Sequence, residues 1–276
     1  MYYVSPEPPP EEITKLYKDA YSLYGLENGA SNLKRRFKNM FSALRAREQM
    51  RRVGTLLPLN GILLLDVGAA TGEVLEYAKK KGACALGIEP NARLHRHALR
   101  HHRPVLNVRF ELFRDDRNFD LISFSHVLEH MPGIRETLKK VSTMVSKGGM
   151  LYIEVPFAPK PDEMERGKLH KYLNTPHLIN FSGDSLTRLL EQHGFKTQVT
   201  ERVLLGRSCI LAKWFKTIDF NYEVSEGYGI RWLLSLFILC SVLIENRLGN
   251  DVWCSLKKNE SWSGYGDITW ALFQKT

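Results

Sequence analysis

Short, almost unbroken apolar runs alternate with helical stripes through the middle of the chain. Gly61-Ile62-Leu63-Leu64-Leu65-Asp66-Val67-Gly68 is one such run, ended by glycine, and it suits a strand buried on both faces of a parallel sheet. It is predicted as the central first strand. Glu73 to Lys81 follows as a helix stopped by Gly82, and Cys84 to Glu89 as a second strand. Asn91 is placed to cap a basic, histidine-rich helix that ends near Pro104. A weaker strand is expected around Val108 to Leu112 and a fourth over Phe119 to Ser125. Ile134, Leu138, Val141 and Val145 mark the inner stripe of the next helix, Gly148-Gly149 ends that unit, and Met150 to Phe157 reads as a fifth strand.

The flanks follow different patterns. From Asn32, the residues Leu33, Phe37, Met40, Phe41 and Leu44 recur at helical spacing with basic residues between them, so an amphipathic helix leads into the main domain. Beyond Phe157 comes a polar loop, then a helix capped near Ser182 and stopped by Gly194, then a strand from Phe195 to Glu201. Residues 203–262 interrupt the alternation before Ile268 to Phe273 supplies a last strand. The expected architecture is α/β, a doubly wound sheet of Rossmann-like type. Its parts are an N-terminal helical segment over 1–60, a core over 61–202, a mainly helical insertion over 203–262 and the final strand of the core in 263–276.

Composition narrows the setting. The 276 residues, 43% of them hydrophobic, can build a sizeable core. Cys84, Cys209, Cys240 and Cys254 are far apart and show no zinc-ligand spacing, which points to a reducing cytoplasm. Met1 to Pro10 lacks the basic start and apolar run of a secretory signal. Trp232 to Ile244 falls short of the roughly 20 residues a spanning helix needs. It is expected to be buried as a lid or dimer face, with interfacial membrane contact the lesser alternative. The net charge of +9 favours an anionic partner, and Lys34 to Arg52 carries eight basic residues against Glu48 alone.

The chemistry is expected where the first strand turns into its helix. Gly68 and Gly72 bracket a loop that lets a ligand approach the backbone at the carboxyl edge of the sheet. A dinucleotide fingerprint wants glycine at three positions that here are Gly68, Ala70 and Glu73, and Glu73 would set negative charge against a pyrophosphate. A cationic sulfonium suits Asp66 and Glu73 better. Glu89, at the end of the second strand, can accept hydrogen bonds from both hydroxyls of a ribose. S-adenosylmethionine is therefore the expected cofactor, with Ala69 and Ala70 completing the loop.

In their order and spacing, five segments resemble successive motifs of class I S-adenosylmethionine-dependent methyltransferases: Leu64 to Gly72, Gly87-Ile88-Glu89-Pro90, Phe119-Asp120-Leu121-Ile122, His126-Val127-Leu128-Glu129-His130 and Gly148 to Pro156. The histidine-flanked segment is most similar to the branch with ubiquinone-type O-methyltransferases and polysaccharide or secondary-metabolite methyltransferases. The resemblance implies a seven-stranded sheet whose last strand enters antiparallel beside the fifth. It also implies that Asp66, Gly68 and Gly72 surround the methionine part of the cofactor, and that Ser125 and His126 lie near the sulfonium. For adenine, the family's acidic residue after the third strand has two candidates here, Glu111 and Asp115.

Methyl transfer to oxygen or nitrogen calls for alignment and, for some acceptors, a general base; carbon is the less favoured acceptor. His126, His130 and His177 are the candidate bases. His126, Glu129 and His130 have spacing that brings them together on one helical turn, where a divalent metal is an alternative to a purely structural role; no metal is expected. His95, His97, His101 and His102 read as a solvated face. The expected acceptor is a small molecule, a glycan or a lipid-linked compound, with peripheral membrane contact through 203–262 and a homodimer as further expectations. Nucleic acid ranks lower because no Asn/Asp-Pro-Pro-Tyr motif is present. A non-catalytic cofactor-binding subunit is the remaining alternative.

Overall fold

The structure, a computed structural model, describes residues 2–3, 9, 32–156, 177–204 and 267–276. Its strands are β1 (Tyr2–Tyr3), β2 (Leu63–Val67), β3 (Cys84–Ile88), β4 (Val105–Leu106), β5 (Phe119–Ser125), β6 (Val145–Pro156), β7 (Ile179–Asn180), β8 (Phe195–Leu204) and β9 (Asp267–Lys275). Its helices are α1 (Asn32–Gly54), α2 (Glu73–Lys80), α3 (Ala92–Arg100), α4 (Ile134–Met144) and α5 (Gly183–Glu191), with a 3₁₀ turn over Leu128–His130. The main sheet runs β4-β3-β2-β5-β6-β9-β8. The pairs β2 with β3, β2 with β5, β3 with β4 and β5 with β6 are parallel, and the last strand, β9, is antiparallel beside β6.

The apolar run of β2 is central because it can be: Leu64, Leu65 and Val67 have 3% exposure or less, and both neighbours are parallel strands. The strand order reverses between β2 and β5, which opens a crevice at their carboxyl ends. Asn91 caps α3 as predicted, its Oδ1 accepting the backbone N–H groups of Arg93 and Leu94 at 2.9 and 3.2 Å. Ser182 caps α5 through a capping box with Ser185.

Two elements differ from expectation. The third strand is Val105–Leu106 and not Val108 to Leu112; the latter stretch turns, with Leu112 and Phe113 donating back to Arg109. Leu112 is 68% exposed, so the apolar pattern there does not mark an inward face. The fifth strand of the sheet starts at Val145, not Met150, and contains the glycine pair. Phe119 faces Val145 while Leu121 faces Met150, so the register slips across Gly148 and Gly149. A left-handed backbone at Gly148 (φ +77°) accommodates the slip within the strand.

By compactness the chain divides into Met1–Arg202 with Thr269–Thr276, and Val203–Ile268. Trp214, Phe215 and the apolar run Trp232 to Ile244 lie outside the described residues. Among those described, no helix is long and apolar enough to cross a membrane.

Candidate active site

The loop after β2 has the cradle that its glycines suggested. Gly68 and Gly72 are left-handed, at φ +72° and +82°, and Ala70 shares that region at +47°. A Cβ on Gly68 would lie 2.3 Å from Cγ2 of Val127, because the loop packs against the segment after β5. Glu89, fully buried at the end of β3, accepts the N–H groups of Ala70 (3.0 Å) and Asn91 (2.8 Å). One carboxylate thereby pins both the loop and the start of α3. Ala69 is buried beneath it, its N–H bound to the Ile88 carbonyl at 3.0 Å.

Asp66 is 4% exposed and accepts a 2.6 Å hydrogen bond from Ser123. Burial first, then the nearby charges of Glu89 and Glu73, push its pKa up to about 7 against the pull of Ser123. Burial likewise raises Glu89 to about 7, opposed by the two backbone donors. Two buried carboxylates with no cation paired to them among the described residues form a place that gains from a positively charged ligand, and this fits a sulfonium cofactor. Glu73 is otherwise engaged: it takes the Thr71 hydroxyl and an Arg103 ion pair at 3.0 Å.

The other side of the switch point is built on β5 and β6. His126 is left-handed (φ +53°), a strained conformation for a side-chain-bearing residue, and its N–H donates to the Glu154 carbonyl at 2.8 Å. Its ring lies between two buried carboxylates, Nδ1 3.5 Å from Glu129 and Nε2 3.4 Å from Glu154. Burial works against the imidazolium, but these carboxylates outweigh it and raise the pKa of His126. Ser125 accepts a 2.7 Å hydrogen bond from Gln49 and one of 3.3 Å from Arg45.

Glu129, 1% exposed, is the centre of a histidine group: Leu178 N–H anchors to its backbone carbonyl (2.9 Å), and the rings of His130 and His177 meet edge to face at 4.7 Å. The predicted turn of His126, Glu129 and His130 thus forms only in part. Glu129, His130 and His177 bring one ligand atom each within 4.8 Å of one another, a donor set for a divalent cation, while His126 turns toward Glu154. Burial first, then repulsion from His130 and His126, lowers His177 to about 4 despite the opposing pull of Glu129 and Asn180.

The sequence reading missed Glu154, Arg45, Gln49 and Asn107. Glu154 is 1% exposed; it binds Arg45 and accepts hydrogen bonds from Gln49 (3.1 Å) and Tyr152 (2.8 Å). Burial opposes its ionisation, yet His126 and Arg45 hold its pKa well below the usual range. An acid inside an apolar strand was the signal available. Asn107 directly follows β4 and donates to the carbonyls of Glu89 and Pro90 at 2.8 and 3.0 Å. Of the two adenine candidates, Glu111 sits in the turn beyond β4, 3.4 Å from Arg109, and Asp115 pairs with Arg117.

A glycine cradle and buried acids lie on one side of the switch point, with a histidine cluster on the other. Comparison with known proteins gives the class. Residues 36–199 match a methyltransferase-domain family, well over half of the chain, and the chain belongs to that family, as a class I S-adenosylmethionine-dependent methyltransferase. The ubiquinone biosynthesis O-methyltransferase of Coxiella burnetii is 29% identical over 103 residues, 35% of this chain and 44% of that protein. The C-methyltransferase NovU of Streptomyces niveus is 25% identical over 143 residues, 50% of this chain and 33% of its own length. In fold, the chain is similar to magnesium protoporphyrin IX methyltransferase from Synechocystis with bound S-adenosylmethionine: TM-score 0.55, 9% identity, 99% of this chain and 100% of that one. The chain spans less than half the length of the two sequence relatives.

Proposed function

We propose that this protein transfers the methyl group of S-adenosylmethionine to a hydroxyl oxygen or amine nitrogen of a small-molecule, glycan or lipid-linked acceptor. The observation that carries the reading is the division at the switch point. Buried Asp66 and Glu89 with the glycine cradle lie over β2 and β3, and three histidines around Glu129 lie beyond β5. Bound S-adenosylmethionine supplies an already activated methyl group, which leaves its sulfur as a neutral thioether. The chain then has two tasks, alignment and removal of the acceptor's proton.

His177 fits the second task because its lowered pKa keeps it neutral at pH 7. His126 has its pKa raised between two carboxylates, which favour its protonated form, and it suits orientation instead. Gly68, Ala69, Ala70 and Gly72 would hold the methionine end and Glu89 the ribose. On the adenine side Asn107, at the end of β4, is better placed than Glu111. Glu129, His130 and His177 support a second reading, in which a divalent cation activates the acceptor. The dispersed cysteines and the absence of a spanning helix among the described residues go with a cytoplasmic enzyme.

The test is incubation with methyl-labelled cofactor and fractionated extract of the native cell. A labelled small molecule, glycan or lipid is the expected product, and labelled RNA overturns the reading. With the acceptor in hand, His177→Asn should lower kcat by about a hundredfold or more while leaving cofactor affinity within about twofold. Loss of activity on chelation, restored by added divalent cation, would make His177 a ligand and not the base.

A further inference from the structure

From Pro90 to Phe110 the chain contains no acidic residue but has five arginines and four histidines. The segment's net charge of +5 is more than half of the chain's +9. Two of these arginines are occupied: Arg103, 12% exposed, pairs with Glu73 and Glu76, and Arg109 faces Glu111. Arg93, Arg96 and Arg100 are exposed on α3, and no ion pair engages any of them among the described residues.

Their spacing puts them on one face. At about 100° per residue the three lie within about 60° of one another, along about 10 Å of helix axis. Leu99, next on that circumference, is 49% exposed, while Leu94 and Ala98 on the other side are buried. An exposed leucine beside three unpaired arginines is the composition of a helix face that lies on a bilayer. Guanidinium groups meet phosphates there, and the apolar side chain reaches the acyl boundary. Bases of a single-stranded nucleic acid stack best on Phe, Tyr or Trp, and α3 has none of these, its only rings being those of His95 and His97.

We propose that the outer face of α3 docks this protein on an anionic lipid surface. The docking is independent of which acceptor is methylated, and it needs neither α1 nor residues 203–262.

The test is co-sedimentation of the full chain with phosphatidylcholine vesicles, with and without phosphatidylglycerol. The wild type should bind the anionic vesicles at low salt, release them at high salt and ignore the neutral ones. Each arginine contributes about fivefold to partitioning, so Arg93→Gln, Arg96→Gln and Arg100→Gln together should weaken it about a hundredfold. Leu99→Gln should weaken vesicle binding several-fold without changing binding to heparin. Calorimetry with S-adenosylmethionine checks that each variant is folded. Wild type that ignores anionic vesicles at low salt, or a triple variant that binds them equally, overturns the proposal. So does selective, arginine-dependent binding of a single-stranded RNA in place of vesicles, which makes nucleic acid the partner.

Discussion

Helices α1 and α3 are both rich in arginine, and their described cations are engaged differently. On α1, Arg45 and Arg52 reach the buried Glu154, and Arg51 and Arg52 hold Glu48 at 2.8 and 3.2 Å. Of the α1 cations with described side chains, Arg47 alone is left to solvent. On α3 the three arginines engage no acid among the described residues, and the inward-turned cation, Arg103, lies just past the helix end. Net charge and helical spacing made the two look alike. What separates them is a buried carboxylate that the arginines of α1 reach, whereas those of α3 reach none among the described residues.

The carboxylates themselves repeat the contrast. Glu154, beside α1, is paired and keeps its charge; Glu89 and Asp66, beside the start of α3, have no paired cation among the described residues and are pushed up to about 7. Paired buried charge serves arrangement more than stability, since the ion pair gains little over an apolar contact but is expensive to break. Unpaired buried charge is a standing demand for a ligand.

The largest effect should follow from cutting the link under α1. Glu154→Leu leaves Arg52 and Gln49 facing an apolar strand and should destabilise the protein by about 3–5 kcal/mol, read from urea unfolding. An unchanged midpoint would erase the distinction between the helices. Next, Arg103→Met removes the clamp on Thr71, Glu73 and Glu76 and should weaken S-adenosylmethionine binding about tenfold by calorimetry, the equivalent of one charged hydrogen bond. Without ligand, stability should fall as pH rises from about 4.5 to about 7. Over that range the folded Asp66 and Glu89 still hold two protons that the unfolded chain has released, against the one that folded His177 has already lost, so the folded state binds more protons. The thermal shift produced by S-adenosylmethionine should accordingly be larger at about pH 8 than at about pH 5.5; an equal shift would detach these two acids from the cofactor. Smallest of all, neutralising Arg93, Arg96 and Arg100 should change stability by no more than about 0.5 kcal/mol, because no ion pair among the described residues is lost and the one hydrogen bond broken, Arg96 Nε to the Ala92 carbonyl, is exposed.

Much of the fold was legible because its signals are local. β2, β3 and β5, the Asn91 cap and the glycines of the cofactor loop each depend on neighbours within a few residues. β4 was misplaced because a two-residue edge strand leaves no periodicity to detect. β6 was drawn too short because a glycine pair normally ends an element, whereas here it carries a register slip. In the site, Asp66, Gly68, Gly72 and Glu89 were visible from strand ends and turn chemistry. Glu154 was not, because its partners Arg45 and Gln49 precede it by 109 and 105 positions and only the sheet brings them together.

By itself the sequence determined the alternation of elements, the cofactor loop and the class of methyl donor, since each follows from hydrogen bonding and patterning over short spans. Tertiary structure decided which charges are spent and which remain. It turned Arg45 and Arg52 of α1 onto Glu154, brought His177 to Glu129 and His130 while His126 lies between Glu129 and Glu154, and left the arginines of α3 facing outward. Those outcomes depend on desolvation and on meetings between residues distant along the chain, and neither is written in local pattern.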